Sequence, residues 1–234
     1  MPPHADIDLV VFDILGTLVN EPGGLHRSIR ELAPTGSAGQ LDDLVEMWLS
    51  HVADQQRTML DGRRPYANSD VVDREAAELV AATCGVTDAV AIDRLATAER
   101  RLDPWPDTVH ALGRLAQRFP VAGPSNASRA TLTRLNARAG LRWHYLLSAE
   151  DARSYKPAPD VYRLALDIAG GGAPERVLMA AAHAWDLRGA QALGLRTAYV
   201  RRPVGDPPLA TDSFDHHTGS LADLVAELLD RRPR

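Results

Sequence analysis

Short apolar runs rich in β-branched or aromatic residues recur along this chain with amphipathic helical patterns between them, and that alternation narrows the possible folds more than any other feature. Such runs occupy Leu9 to Phe12, Phe119 to Gly123, Tyr145 to Leu147, Val177 to Ala180 and Thr197 to Val200, and each reads as a buried strand. Between and after them, apolar residues fall at helical spacing: Val109, Leu112, Leu115, Ala116 and Phe119, then Val161, Leu164, Ala165 and Ile168, and last Leu221, Leu224, Val225 and Leu228. Strands that are apolar throughout and alternate with one-faced helices predict an α/β fold, a doubly wound parallel sheet covered by helices on both sides.

The alternation breaks once. From about Leu25 to about Arg101 no strand pattern appears, and helical stretches around Gly39 to Met59 and Ser69 to Cys84 dominate. The expected organisation is a core domain of residues 1–18 and 102–234 carrying an inserted α-helical cap, 19–101. The segment Leu102 to Pro106 (LDPWP) serves as the return hinge, because its prolines stop helices. A cap beside the carboxyl ends of a parallel sheet would close over the usual ligand crevice.

With 234 residues, 45% of them hydrophobic, the chain can bury a proper core without disulfide stapling. Cys84 is the single cysteine and has no partner within the chain, so a cytoplasmic location is the default expectation. The first ten residues, MPPHADIDLV, lack a basic leader and a following apolar stretch. No apolar run approaches the roughly 18 residues of a membrane span. Net charge is −5 with acids and bases interspersed, which leaves no basic field for a phosphate backbone. The partner expected is therefore a small molecule, with neither nucleic acid nor membrane, and a homodimer is left open.

Four segments carry candidate chemistry. In VVFDILGTLV, Asp13 directly follows the first strand and Gly16 and Thr17 make a tight turn after it, so the carboxylate points into the crevice. In VAGPSNAS, a strand ends at Ser125 and Asn126, short polar groups able to bind a carboxylate but equally able to cap a helix. In SAEDARSYKPAPDVY, Lys156 sits on a loop before a helix; it is either a solvated charge or the partner of an Asp nucleophile. In VLMAAAHAWD, a strand leads to His183 and Asp186 where a helix begins, and Asp186 there would also suit a helix N-terminus.

Taken together and in this order, the four segments resemble the haloacid dehalogenase superfamily over nearly the whole chain. The superfamily has a Rossmann-like core with a nucleophilic Asp after strand one, a Ser or Thr after the second core strand, a Lys before a helix and acidic residues after the fourth strand. Asp13, Ser125, Lys156 and Asp186 fit those slots. The phosphatase branch adds a second Asp two residues past the nucleophile and another acid four positions before the Asp186 slot; here these are Leu15 and Ala182. Leucine cannot donate a proton, and too few oxygen ligands remain for Mg²⁺, so no metal and no other cofactor is expected.

What remains resembles the (S)-2-haloacid dehalogenases, through LDPWPD, SNAS, SYKPAPDVY and AHAWD. The resemblance implies that Asp13 attacks the carbon beside a carboxylate, with inversion, and that water then cleaves the resulting aspartyl ester. It assigns Thr17 and Lys156 to orient Asp13, and Ser125, Asn126 and the backbone N–H groups of Ile14 and Leu15 to hold the substrate. Asp186 with His183 would position or activate water. Tyr162 matches a family tyrosine near the active site and Trp185 sits between His183 and Asp186, although both read equally as plain core aromatics.

In these dehalogenases a cap arginine that follows a tryptophan receives the halide, and the matching pair here is Trp48–Leu49. Rescue would have to come from His51, Arg57, Arg63 or Arg64. Relatives of this architecture also open strained-ring carboxylates such as azetidine-2-carboxylate and cis-epoxysuccinate, which release no free anion. A non-catalytic binding module is the third reading.

Overall fold

The computed structural model describes residues 7–171 and 173–230; the first six positions of the leader reading lie outside them. The chain enters through β1 (Leu9–Phe12) and then makes four helices in a row, α1 (Glu21–Leu32), α2 (Ala38–Leu60), α3 (Ser69–Thr83) and α4 (Ala89–Ala96), closed by a 3₁₀ turn at Ala98–Arg101. It returns through α5 (Thr108–Leu115) and alternates thereafter: β2 (Val121–Ser125), α6 (Arg129–Ala139), β3 (Tyr145–Ser148), α7 (Pro159–Ile168), β4 (Val177–Ala181), α8 (Ala184–Gln191), β5 (Arg196–Val200), β6 (His216–Thr218) and α9 (Leu221–Asp230).

The six strands form one sheet in the order β3-β2-β1-β4-β5-β6, every neighbour parallel. Alternate residues of each strand feed opposite layers. Val10 and Phe12 join Leu112, Leu115, Leu224 and Val225 of α5 and α9 on one face, while Leu9 and Val11 join Tyr162, Ala165 and Leu187 of α7 and α8 on the other. Each fully buried Leu or Phe in such layers contributes about 1.5–3 kcal/mol of transfer free energy. The order of strand succession reverses at β1, which pairs with β2 on one side and β4 on the other, so the carboxyl ends of these three strands open into one crevice.

The four consecutive helices bury a third apolar cluster of their own, including Leu25, Ile29, Leu41, Trp48, Ala77, Val80 and Leu95. The two connections to this helical insert run side by side. Val19 bridges to Pro104, and the N–H groups of Asn20 and Trp105 donate to Asp103 and Leu18 carbonyls at 2.9 and 3.0 Å. The predicted hinge thus also straps the turn that follows Asp13.

Three elements differ from expectation. Strand β2 begins at Val121 rather than Phe119, because the N–H groups of Arg118 and Phe119 still bond back to Leu115 at 2.9 Å and the chain leaves α5 only at Pro120. Strand β6, with the sequence HHT, has no apolar run to announce it. Helix α1 hides behind Pro22, Gly23 and Gly24, yet Asn20 Oδ1 accepts from the Gly23 N–H at 3.0 Å to cap it. Gly24 is required for packing: a Cβ there would lie 2.2 Å from Leu102 Cδ2. Among the described residues no helix is long and apolar enough to cross a membrane.

Candidate active site

Where β1, β2 and β4 end, a cavity of about 310 Å³ separates the sheet from the helical insert. Its floor is Asp13. Thr17 Oγ1 donates to Asp13 Oδ2 at 2.6 Å and itself accepts from the Ala182 N–H at 2.9 Å, tying the loop after β1 to the end of β4. Lys156 is no solvated loop charge. Its Nζ is buried and donates to Asp13 Oδ1 at 3.0 Å and to Asp186 Oδ2 at 2.8 Å. Burial alone would pull the Lys156 pKa down, but the Asp13 and Asp186 carboxylates raise it, so the ammonium persists.

Asp186 is wholly buried and does not line the cavity. Its second oxygen accepts from Tyr162 Oη at 2.6 Å. Burial raises its pKa, against the lowering effect of Lys156. Both Asp186 oxygens are thus engaged, one by Lys156 and one by Tyr162. Of the two residues expected to handle water, His183 lines the cavity and Asp186 lies behind Lys156.

His183 does line the cavity, with Nε2 at 4.0 Å from Asp13 Oδ2 and 3.3 Å from the Leu15 carbonyl, and Nδ1 at 3.3 Å from Asp206. Burial would lower its pKa, yet Asp206, then Asp13, Glu21 and Asp186, lift it to about 9. These neighbours favour the imidazolium form, which donates from both ring nitrogens. Gly16 makes room for it: φ is +76°, and a Cβ there would sit 2.7 Å from His183 Nε2.

Ser125, Asn126, Leu15, Leu49 and Trp185 also line the cavity. Asn126 couples the two layers of the site, accepting the Lys156 N–H at 2.9 Å and donating to Gln56 Oε1 of α2 at 2.9 Å. Ile14 and Tyr162 point their side chains into the sheet layers instead. The Trp48–Leu49 pair is divided. Successive helix positions differ by about 100°, so Leu49 shares the cavity stripe of α2 with Val52, Ala53 and Gln56, whereas Trp48 is sealed inside the insert.

None of the four proposed rescues reaches the cavity. Arg64 and His51 meet Glu75 at 2.6 and 3.5 Å, Arg57 meets Asp54 at 3.3 Å and Arg63 meets Asp61 at 2.5 Å. The charged residues that the sequence reading missed are Glu21, Asp73 and Glu99, which line the cavity, and Asp206 behind His183. On the sequence the first three look like ordinary helix charges, and only packing turns them inward.

A family model described as a haloacid dehalogenase-like hydrolase matches residues 7–194. The chain belongs to the haloacid dehalogenase-like hydrolases. It is thus an enzyme, and the reading as a non-catalytic binding module falls away. Among members of the family, it is 28% identical over 225 residues to (S)-2-haloacid dehalogenase 4A of Burkholderia cepacia, covering 92% of this chain and 91% of that one. It is 30% identical over 200 residues to the (S)-2-haloacid dehalogenase of Xanthobacter autotrophicus, covering 84% and 76%. A solved L-2-haloacid dehalogenase superposes with a TM-score of 0.86 at 29% identity, over 96% of this chain and all of the other. The Xanthobacter autotrophicus enzyme with chloropropionic acid covalently bound superposes with a TM-score of 0.80 at 27% identity, over 96% and 98% of the two chains.

Proposed function

We propose that this hydrolase acts at a carbon centre through an ester on Asp13, in the manner of an (S)-2-haloacid dehalogenase, taking a small 2-haloalkanoic acid with inversion. The observation that carries the reading is the Asp13 carboxylate at the cavity floor, gripped by Lys156 at 3.0 Å and Thr17 at 2.6 Å, with Leu15 where a phosphatase has its acid. An Asp13 oxygen attacks C2 of the substrate, the halide departs with the bonding electrons, and water then adds to Asp13 Cγ, releasing the 2-hydroxy acid. Ser125, Asn126 and the N–H groups of Ile14 and Leu15 would hold the substrate carboxylate, and the helical insert, residues 19–101, would act as the cap.

Incubation with (S)-2-chloropropionate tests this reading: chloride release that disappears in Asp13→Ala supports it. A single turnover in ¹⁸O water should label Asp13 itself. Label found only in the product, with enzyme in excess, would mean direct attack by water.

A second reading, opening of a strained-ring carboxylate, draws on the cavity wall. Leu49 is apolar and no cation of the insert lines the cavity among the described residues, so the insert offers no positive charge to a departing anion. A ring nitrogen that leaves as a neutral, tethered amine needs no such group. Ring opening of azetidine-2-carboxylate or cis-epoxysuccinate without chloride release from any haloacid would favour it.

A further inference from the structure

The insert contributes three carboxyl groups to the cavity wall: Glu21 at the start of α1, Asp73 on α3 and Glu99 in the 3₁₀ turn at Ala98–Arg101. Asp73 and Glu99 are only 2% and 4% exposed, and one oxygen of each, Asp73 Oδ1 and Glu99 Oε2, has no hydrogen-bond partner. None of the three forms an ion pair among the described residues. Arg100, whose charge acts on Asp73, is engaged by Asp70 and Thr131 at 3.2 Å each. The cavity's own cations are committed as well, Lys156 to Asp13 and Asp186, and His183 to Asp206.

Ser69 hydrogen-bonds the Asp73 carboxyl, but buried carboxyl oxygens left without a partner are expensive, and a fold with no use for them would be more stable with apolar or amide side chains. We infer that Asp73 and Glu99, with Glu21 beside them, form a subsite for a protonated amine, so that the preferred ligands of this cavity carry an ammonium group as well as a carboxylate. The inference rests on the proposed function only in taking the Asp13 cavity as the ligand site.

An organic cation fits better than a metal ion, because no three acidic, His or Cys side chains converge as a metal-binding set among the described residues. The alternative that needs no ligand is a proton shared between Asp73 and Glu99. The two differ in their consequences. Burial raises the pKa of Asp73 and Glu99 well above the usual range and that of Glu21 to about 7. An arriving ammonium therefore displaces protons, whereas a purely structural pair ignores the ligand's charge.

Two unreactive probes separate these cases in titration calorimetry: pyrrolidine-2-carboxylate, a cyclic amino acid whose unstrained ring Asp13 cannot open, and cyclopentanecarboxylate, the same ring without the amine. Wild-type protein should bind the amino acid on the order of tenfold or more tightly. Its binding heat should vary with the ionisation enthalpy of the buffer, reporting proton release. Asp73→Asn and Glu99→Gln should each remove most of that preference.

Equal affinity for the two probes, no binding of either at millimolar concentration, or a preference that survives both substitutions would overturn the inference. If neither variant folds, the wild-type comparison and its proton release still decide. Chloride release from (S)-2-chloropropionate, measured on the same preparation, separates failure of this subsite from failure of the proposed chemistry.

Discussion

Lys156 Nζ lies 3.0 Å from Asp13 Oδ1, with the lysine side chain 1% and the aspartate side chain 10% exposed. A buried ion pair of this kind is strongly destabilised when one partner alone is removed. Lys156→Met leaves Asp13 and Asp186 facing each other without a cation. It should cost about 3–5 kcal/mol of folding stability and abolish measurable turnover; urea unfolding that matched wild type would refute the pairing.

Tyr162 donates to Asp186 Oδ1 at 2.6 Å from behind the site. Tyr162→Phe keeps the ring in its layer but strips one oxygen of a buried carboxylate of its donor, an expected loss of about 1–3 kcal/mol. Because Tyr162 does not line the cavity, the effect should fall on kcat with KM nearly unchanged. A change confined to KM would place the hydroxyl against substrate instead.

Gly16→Ala places a methyl group 2.7 Å from His183 Nε2 at a φ of +76°. The left-handed conformation alone costs roughly 1–2 kcal/mol for an L-residue, and the imidazole must also move. Turnover should drop by more than tenfold while the melting temperature falls only a few degrees. Crystals of the variant showing His183 unmoved would contradict the explanation.

Folding stability should decline as pH rises from 6 to 9. The folded-state pKa of His183 is raised from 6.5 to about 9, so its contribution is complete below 6.5 and lost as pH climbs through 9. That loss is on the order of 2–3 kcal/mol. Glu21, raised from 4.5 to about 7, has the same sign, since its protonated form is the one the fold favours. Melting curves of wild type and His183→Gln across this range provide the check, and the variant should show the shallower slope.

Asp73→Asn should stabilise the free protein, and more at pH 8 than at pH 5. Burial raises the Asp73 pKa well above the usual carboxylate range, so ionisation at alkaline pH works against folding and a neutral amide escapes that penalty. A variant less stable than wild type at pH 8 would show that Asp73 has a partner worth keeping in the unliganded protein.

EDTA should leave turnover unchanged, because Leu15 and Ala182 occupy the positions where the phosphatase branch of the family holds its acids. Reversible loss of activity under EDTA would overturn metal independence.

The sheet, the helical interruption and the order Asp13, Ser125, Lys156, Asp186 were legible in the sequence for a local reason. Strand periodicity, helix amphipathicity and polar residues at strand ends are all properties of contiguous residues, and Leu15 and Ala182 were readable as departures at fixed spacing. Side-chain direction across layers is not local. That Lys156 is buried rather than solvated, that Trp48 turns inward while Leu49 faces the cavity, and that His183 stands against Asp206 all depend on strand order and on how the insert settles over the crevice. The acids Glu21, Asp73 and Glu99 show this most plainly. Within their own helices they sit among charges and small residues as any surface acid does, and only the packing of the insert over the crevice brings them to the wall of the Asp13 cavity, with Asp73 and Glu99 buried.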